Sequence, residues 1–85
     1  MELSDEEIQY VRDMKPGQQY RHYYEDENRE IEIKKEGSDR YGFRFRGADR
    51  TIFRENNVTI ETLTMKWMVF LHGIACNDTK RKAGV

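Results

Sequence analysis

Eighty-five residues with 15 basic and 16 acidic side chains, a net charge of −1 and a mean hydropathy of −1.00 make one domain with a small core, since so short a chain buries only about two-thirds of its unfolded surface. The charge balance excludes the whole-molecule field that draws strongly basic proteins to nucleic acid or anionic membrane, so any electrostatic role must come from local segregation. The single cysteine, Cys76, excludes an internal disulfide and a thiolate-rich metal site, and the acidic opening Met1-Glu2-Leu3-Ser4-Asp5-Glu6-Glu7 lacks the basic-then-apolar pattern of a signal peptide; both point to a cytoplasmic setting.

Ser4 followed by Glu7 forms a capping box, Leu3 and Ile8 occupy the staple positions, and Ile8, Val11 and Met14 recur at helical spacing. This predicts an amphipathic helix from Asp5 to Met14. Pro16-Gly17 stops it, because proline disfavours helical geometry in the residue before it.

The next forty residues have a period of two. Gln19 to Glu25 reads as a first strand, turned through Asp26-Glu27-Asn28, with His22 expected against Glu32, Tyr23 against Ile31 and Glu25 against Arg29. Arg29 to Lys35 carries Ile31 and Ile33 on one face, and Gly37-Ser38-Asp39 supplies turn chemistry before Arg40. Arg40-Tyr41-Gly42-Phe43-Arg44-Phe45-Arg46 alternates strictly, with arginines on one face and aromatics on the other. One register satisfies both faces of this hairpin. Ile31 meets Phe45 and Ile33 meets Phe43 inside, while Glu30, Glu32 and Glu36 meet Arg46, Arg44 and Arg40 outside. A slip of one residue would put Ile33 beside Arg44. Gly47-Ala48-Asp49 is a further turn, leading to a short strand from Arg50 to Arg54.

From Thr59 onward Ile60, Leu63, Trp67, Phe70 or Leu71, and Ile74 return to helical spacing, with Asn57, Thr59 or Thr62 as cap. A second helix closes the core and ends at His72-Gly73-Ile74 in a Schellman motif, or runs on to Cys76. The expected fold is therefore α+β: an N-terminal helix, a three- or four-stranded antiparallel meander, and a C-terminal helix packed on one sheet face. It forms a single domain over residues 1–76 with a flexible tail over 77–85. The order resembles that of the double-stranded-RNA-binding domain in topology alone. Where that family carries a lysine-rich cluster at the start of its second helix, this chain has Glu55, Glu61 and Lys66, so no function is carried over.

Chemistry is sparse. His22 and His72 have no second ligand at metal spacing, Glu25-Asp26-Glu27-Asn28 lacks the pattern of a calcium loop, Ser4 is a cap, and Cys76 has no committed base. No metal, cofactor or catalytic residue is expected, and the reading is a non-enzymatic one. Tyr20, Tyr23 and Tyr24 are too many for one strand face to bury, and exposed tyrosine and arginine are enriched at interfaces. They mark a protein-binding surface together with Arg44 and Arg46, as in a small regulator, adaptor or inhibitor; self-association is compatible with the same surface. The alternative is nucleic-acid binding through the arginine-rich segment 40–54. Arg50 and Arg54 are then the free cations, the others being offset by the hairpin glutamates.

Overall fold

The computed structural model describes the backbone of residues 2–84 and the side chains of residues 2–72. The last helix is continuous from Ile60 to Gly84 and does not end at His72-Gly73-Ile74 as expected, while the side chains of the tail expected over 77–85 lie outside the described residues.

The capping box forms: the Glu7 amide donates to Ser4 Oγ at 3.1 Å and the Ser4 hydroxyl donates back to Glu7 Oε1 at 3.2 Å. Helix α1 (Asp5–Arg12) follows, with three acids in its first turn where the helix dipole favours them. It stops two residues before Met14, yet both Val11 and Met14 are buried. Gly17, at φ 94°, sends its amide to the Lys35 carbonyl at 2.8 Å and starts the sheet.

Four strands, β1 (Gln19–Tyr24), β2 (Arg29–Gly37), β3 (Arg40–Arg46) and β4 (Ile52–Val58), form an antiparallel meander in the order β1-β2-β3-β4. The β2–β3 register is the expected one from Glu30↔Arg46 through Ile33↔Phe43. It departs at the turn, where Gly37 rather than Glu36 faces Arg40. Glu36 is the extra residue of a bulge, and its carboxylate accepts the Asn57 amide at 2.9 Å.

The β1–β2 register is one residue off the expected one. Glu25–Glu27 form a 3₁₀ turn and Asn28 takes a left-handed φ of 52°, so β1 ends at Tyr24, opposite Arg29. His22 faces Ile31, and Arg21 takes the place beside Glu32 that matching side chains had assigned to His22. The last strand runs Ile52–Val58 instead of Arg50 to Arg54. The five-residue connection 47–51 holds Arg50 at φ 70°, and a second bulge sits at Asn57, φ 59°.

Helix α2 (Ile60–Gly84) starts at Thr59, whose hydroxyl accepts the Thr62 amide at 3.2 Å. Asp39, reaching over from the β2–β3 turn, accepts the Ile60 amide at 2.8 Å. Leu63, Trp67, Phe70 and Leu71 pack with Val11, Ile31, Ile33, Tyr41, Phe43 and Phe45 in one cluster. Both helices therefore lie on the same side of the sheet. No helix among the described residues is long and apolar enough to cross a membrane.

Candidate functional site

The alternation of each strand divides the sheet into a helix-covered face and an open face. On the covered face, polar groups are tied to one another. Glu7 Oε2 accepts the hydroxyls of Tyr20 and Tyr24, each at 3.1 Å, and Tyr24 Oη accepts the Trp67 indole N–H at 3.3 Å. Burial, then the nearby Glu7 charge, pushes the Tyr20 hydroxyl up to about 12. Burial raises Tyr24 further still, against the lowering effect of the Trp67 N–H. Two buried cations donate to helix carbonyls, Lys35 at the end of α1 and Arg29 within α2. Lys35 Nζ donates to the Arg12 carbonyl at 3.1 Å and to the Tyr41 hydroxyl at 2.8 Å, while Arg29 Nη1 donates to the Leu71 carbonyl at 3.0 Å and pairs with Glu27 at 3.1 Å.

Of the three tyrosines expected at an interface, two therefore have intramolecular roles joining β1 to α1 and α2. Tyr23 alone points to the open face, 48% exposed, with its hydroxyl on Asn28 Oδ1 at 2.9 Å. His22 lies between the rings of Tyr20 and Tyr24, at 6.4 and 4.3 Å.

The open face is crossed by two rows of directly opposed residues. One runs Arg21, Glu32, Arg44, Arg54 and the other Tyr23, Glu30, Arg46, Ile52. Lys34 faces Gly42 beside them. A Cβ on Gly42 would meet Asn56 Oδ1 at 2.6 Å and the Glu36 carboxylate at 3.0 Å, so glycine makes room for the two bulges to meet. Basic Arg21, Lys34, Arg44, Arg46 and Arg54 outweigh Glu30, Glu32 and Glu36 here, while the opposite sign concentrates on α1 and the 25–27 turn. The segregation that overall neutrality required is present.

The expected ladder of glutamates offsetting arginines does not form. Glu32 pairs with Arg21 at 3.2 Å, leaving Arg44 with no ion pair among the described residues. Glu36 is taken up by the β4 bulge. Arg46 donates to the carbonyls of Asn28 and Gly47, at 3.4 and 3.3 Å. Arg44 and Arg54 are direct cross-strand partners, an arrangement of like charges that is unfavourable unless something anionic joins it. Arg50 is not with them: it sits at the tip of the loop before β4. Ile52, absent from the expected site, lies on the open face 47% exposed.

A second surface is an open groove of about 530 Å³ between the helices, lined by Ile8, Arg12, Ile60, Glu61, Met65 and Met68. Among the described residues no group of three metal-ligating side chains stands together. No family model, curated protein or solved structure matches the chain.

Proposed function

We propose that this is a non-enzymatic protein-binding module of the reducing cytosol, a small regulator, adaptor or inhibitor that engages its partner through the open face of the sheet. The observation that carries the reading is the opposed pair Arg44 and Arg54, two cations on the open face that have no ion pair among the described residues, since Glu32, opposite Arg44, bonds to Arg21 instead. Around it, Tyr23 and Ile52 offer apolar area at the two ends of the second row, and Arg46 supplies a further cation between them. Arginine and tyrosine together are the residue types that dominate interface energetics.

A protein surface fits this face better than a phosphate backbone. Glu30 and Glu32 interrupt the cations and repel a continuous anion, whereas a protein presents both signs. The aromatics that would stack on bases, Tyr41, Phe43 and Phe45, are buried on the other side.

Affinity capture from the native host's lysate, with and without nuclease, tests the reading. The expected result is a saturable protein partner that survives nuclease and is weakened by at least about 1 kcal/mol in Tyr23→Ala and Arg46→Ala variants, which melt as cooperatively as the parent. Capture that disappears with nuclease, with affinity falling steeply as salt rises and a smaller salt slope in Arg54→Gln, overturns it in favour of nucleic acid.

A further inference from the structure

We infer that β4 is a docking edge, and that its occupant is an extended segment of a partner protein that adds a fifth strand and presents an apolar-apolar-acidic triplet to Ile52, Phe53 and Arg54. This deepens the reading of the open face and rests on it.

β4 ends the sheet, so one side of its backbone is unpaired among the described residues. Exposed edges are commonly guarded by charged residues and bulges, and from Arg54 onward β4 has both, with Glu55 paired to Lys66 at 3.0 Å and the bulge at Asn57. Ahead of Arg54 it has neither. Ile52 is 47% exposed on the open face, and Phe53 is 44% exposed on the helix side, where its ring meets Phe70 at the edge of the covered cluster, 6.1 Å away. Consecutive strand residues point to opposite faces, so both faces of the sheet are unfinished at the same edge.

The row patterns specify what finishes them. Along Arg21, Glu32, Arg44, Arg54 the signs run plus, minus, plus, plus, so the next strand must bring a carboxylate opposite Arg54 to resume the alternation. Along Arg46 and Ile52 the next position adjoins an exposed aliphatic, and along Phe45 and Phe53 an exposed aromatic. Added strands gain affinity from main-chain hydrogen bonds and specificity from alternate side chains. The other edge makes no such demand, because Arg21 already has Glu32 at 3.2 Å.

A second copy of the chain is a poor occupant. Antiparallel pairing of two β4 strands in one continuous sheet opposes open-face residues to open-face residues, and those of β4 are Ile52, Arg54 and Asn56. None is acidic, so no register brings Arg54 a carboxylate, and the register centred on Arg54 adds a third cation to Arg44 and Arg54.

The test is an NMR titration of the full ¹⁵N-labelled chain with two capped hexapeptides, Thr-Val-Val-Glu-Val-Thr and its Glu-to-Lys counterpart, and with oligothymidylate. The acidic peptide is expected to shift residues 52–58 saturably, to slow exchange of the β4 amides that point away from β3, and to bind roughly tenfold tighter than the lysine peptide, like-charge juxtaposition being penalised. In Arg54→Glu the preference should reverse. That variant should melt no lower than the parent, because the new carboxylate faces Arg44. Shifts at Tyr23 and Arg46 without β4 protection would overturn the edge while leaving the open-face reading standing. No saturable shift from either peptide, an unchanged charge preference in Arg54→Glu, or tighter binding of oligothymidylate than of peptide would each overturn it as well.

Discussion

On the helix-covered face, Ile31, Ile33, Tyr41, Phe43 and Phe45 are each at most 5% exposed, and the polar groups among them, from Glu7 to Trp67, are hydrogen-bonded to one another. On the open face of the same strands one glutamate stands between two arginines and bonds to one of them, two arginines oppose each other, and Tyr23 and Ile52 remain half in solvent. The alternating pattern is equally regular on both sides. What differs is completeness: on one side the neighbours that each residue needs are within the chain, and on the other some are not. Regular patterning therefore reports a fold, while incomplete pairing within that pattern reports where something external can be accommodated.

The comparison breaks if the two faces prove energetically alike. Trp67→Ala should cost about 4 kcal/mol, the usual loss for removing a large aromatic from a packed core, and this is a large share of the 5–15 kcal/mol typical of a whole domain. It also removes the indole donor to Tyr24. Arg44→Ala on the open face should change stability by no more than about 0.5 kcal/mol. Urea midpoints for the two variants measure both. A comparable loss from Arg44→Ala would mean that its guanidinium is structural and the open face is not a free surface.

The polar network of the covered face has its own signature in pH. Tyr20 holds its proton more tightly when folded, with a value near 12 against 10.0 unfolded, so its contribution is complete below pH 10 and is lost as pH climbs through the interval from 10 to 12. Tyr24 acts in the same direction. Stability should fall with rising alkalinity from about pH 10, and the fall should be shallower in a Tyr20→Phe/Tyr24→Phe variant, which also loses about 1 kcal/mol per hydrogen bond at neutral pH. An identical slope in the variant would assign the alkaline loss to other groups and detach the network from stability.

Much of the covered face could be read before any coordinates, because the β2–β3 hairpin constrains its register twice: Ile31 and Ile33 must meet Phe45 and Phe43, and the same alignment sets Glu30 and Glu32 beside Arg46 and Arg44. Where only one constraint operates, the register is not fixed. Opposing charges alone align β1 with β2, and a 3₁₀ turn over Glu25–Glu27 with a left-handed Asn28 absorbs one residue. Side-chain matching fixes no register for Arg50 to Arg54, and the strand extends to Val58 through a bulge at Asn57, whose left-handed φ asparagine tolerates. The candidate site was legible only in residue type. Opposite residues can be paired by sequence, but Glu32 has Arg21 on one side and Arg44 on the other, and the choice between them is made by side-chain geometry. Glu36 was likewise counted as a partner of Arg40 until the bulge turned it to the Asn57 amide.

The smallest expected effect concerns the residue left out of both faces. Arg50 sits at φ 70° in the loop that joins β3 to β4, with its amide on the Gly47 carbonyl at 3.0 Å and the Thr51 amide on Asp49 Oδ1 at 3.0 Å. A left-handed conformation costs an ordinary L-residue about 1–2 kcal/mol, and glycine at this loop position avoids that cost while giving up about 0.5–1 kcal/mol of unfolded-state entropy. Arg50→Gly should therefore stabilise the fold by roughly 0.5 kcal/mol, a rise in Tm of about 2–4 °C for a domain of this size. The same variant removes one of the two cations on which nucleic-acid binding was expected to depend, yet it lies apart from the Arg44 and Arg54 pair. If the open face and the β4 edge are the functional surface, partner affinity should be unchanged while the Tm rises. A stabilised variant that binds more weakly would instead place the loop inside the interface and extend the site beyond the sheet.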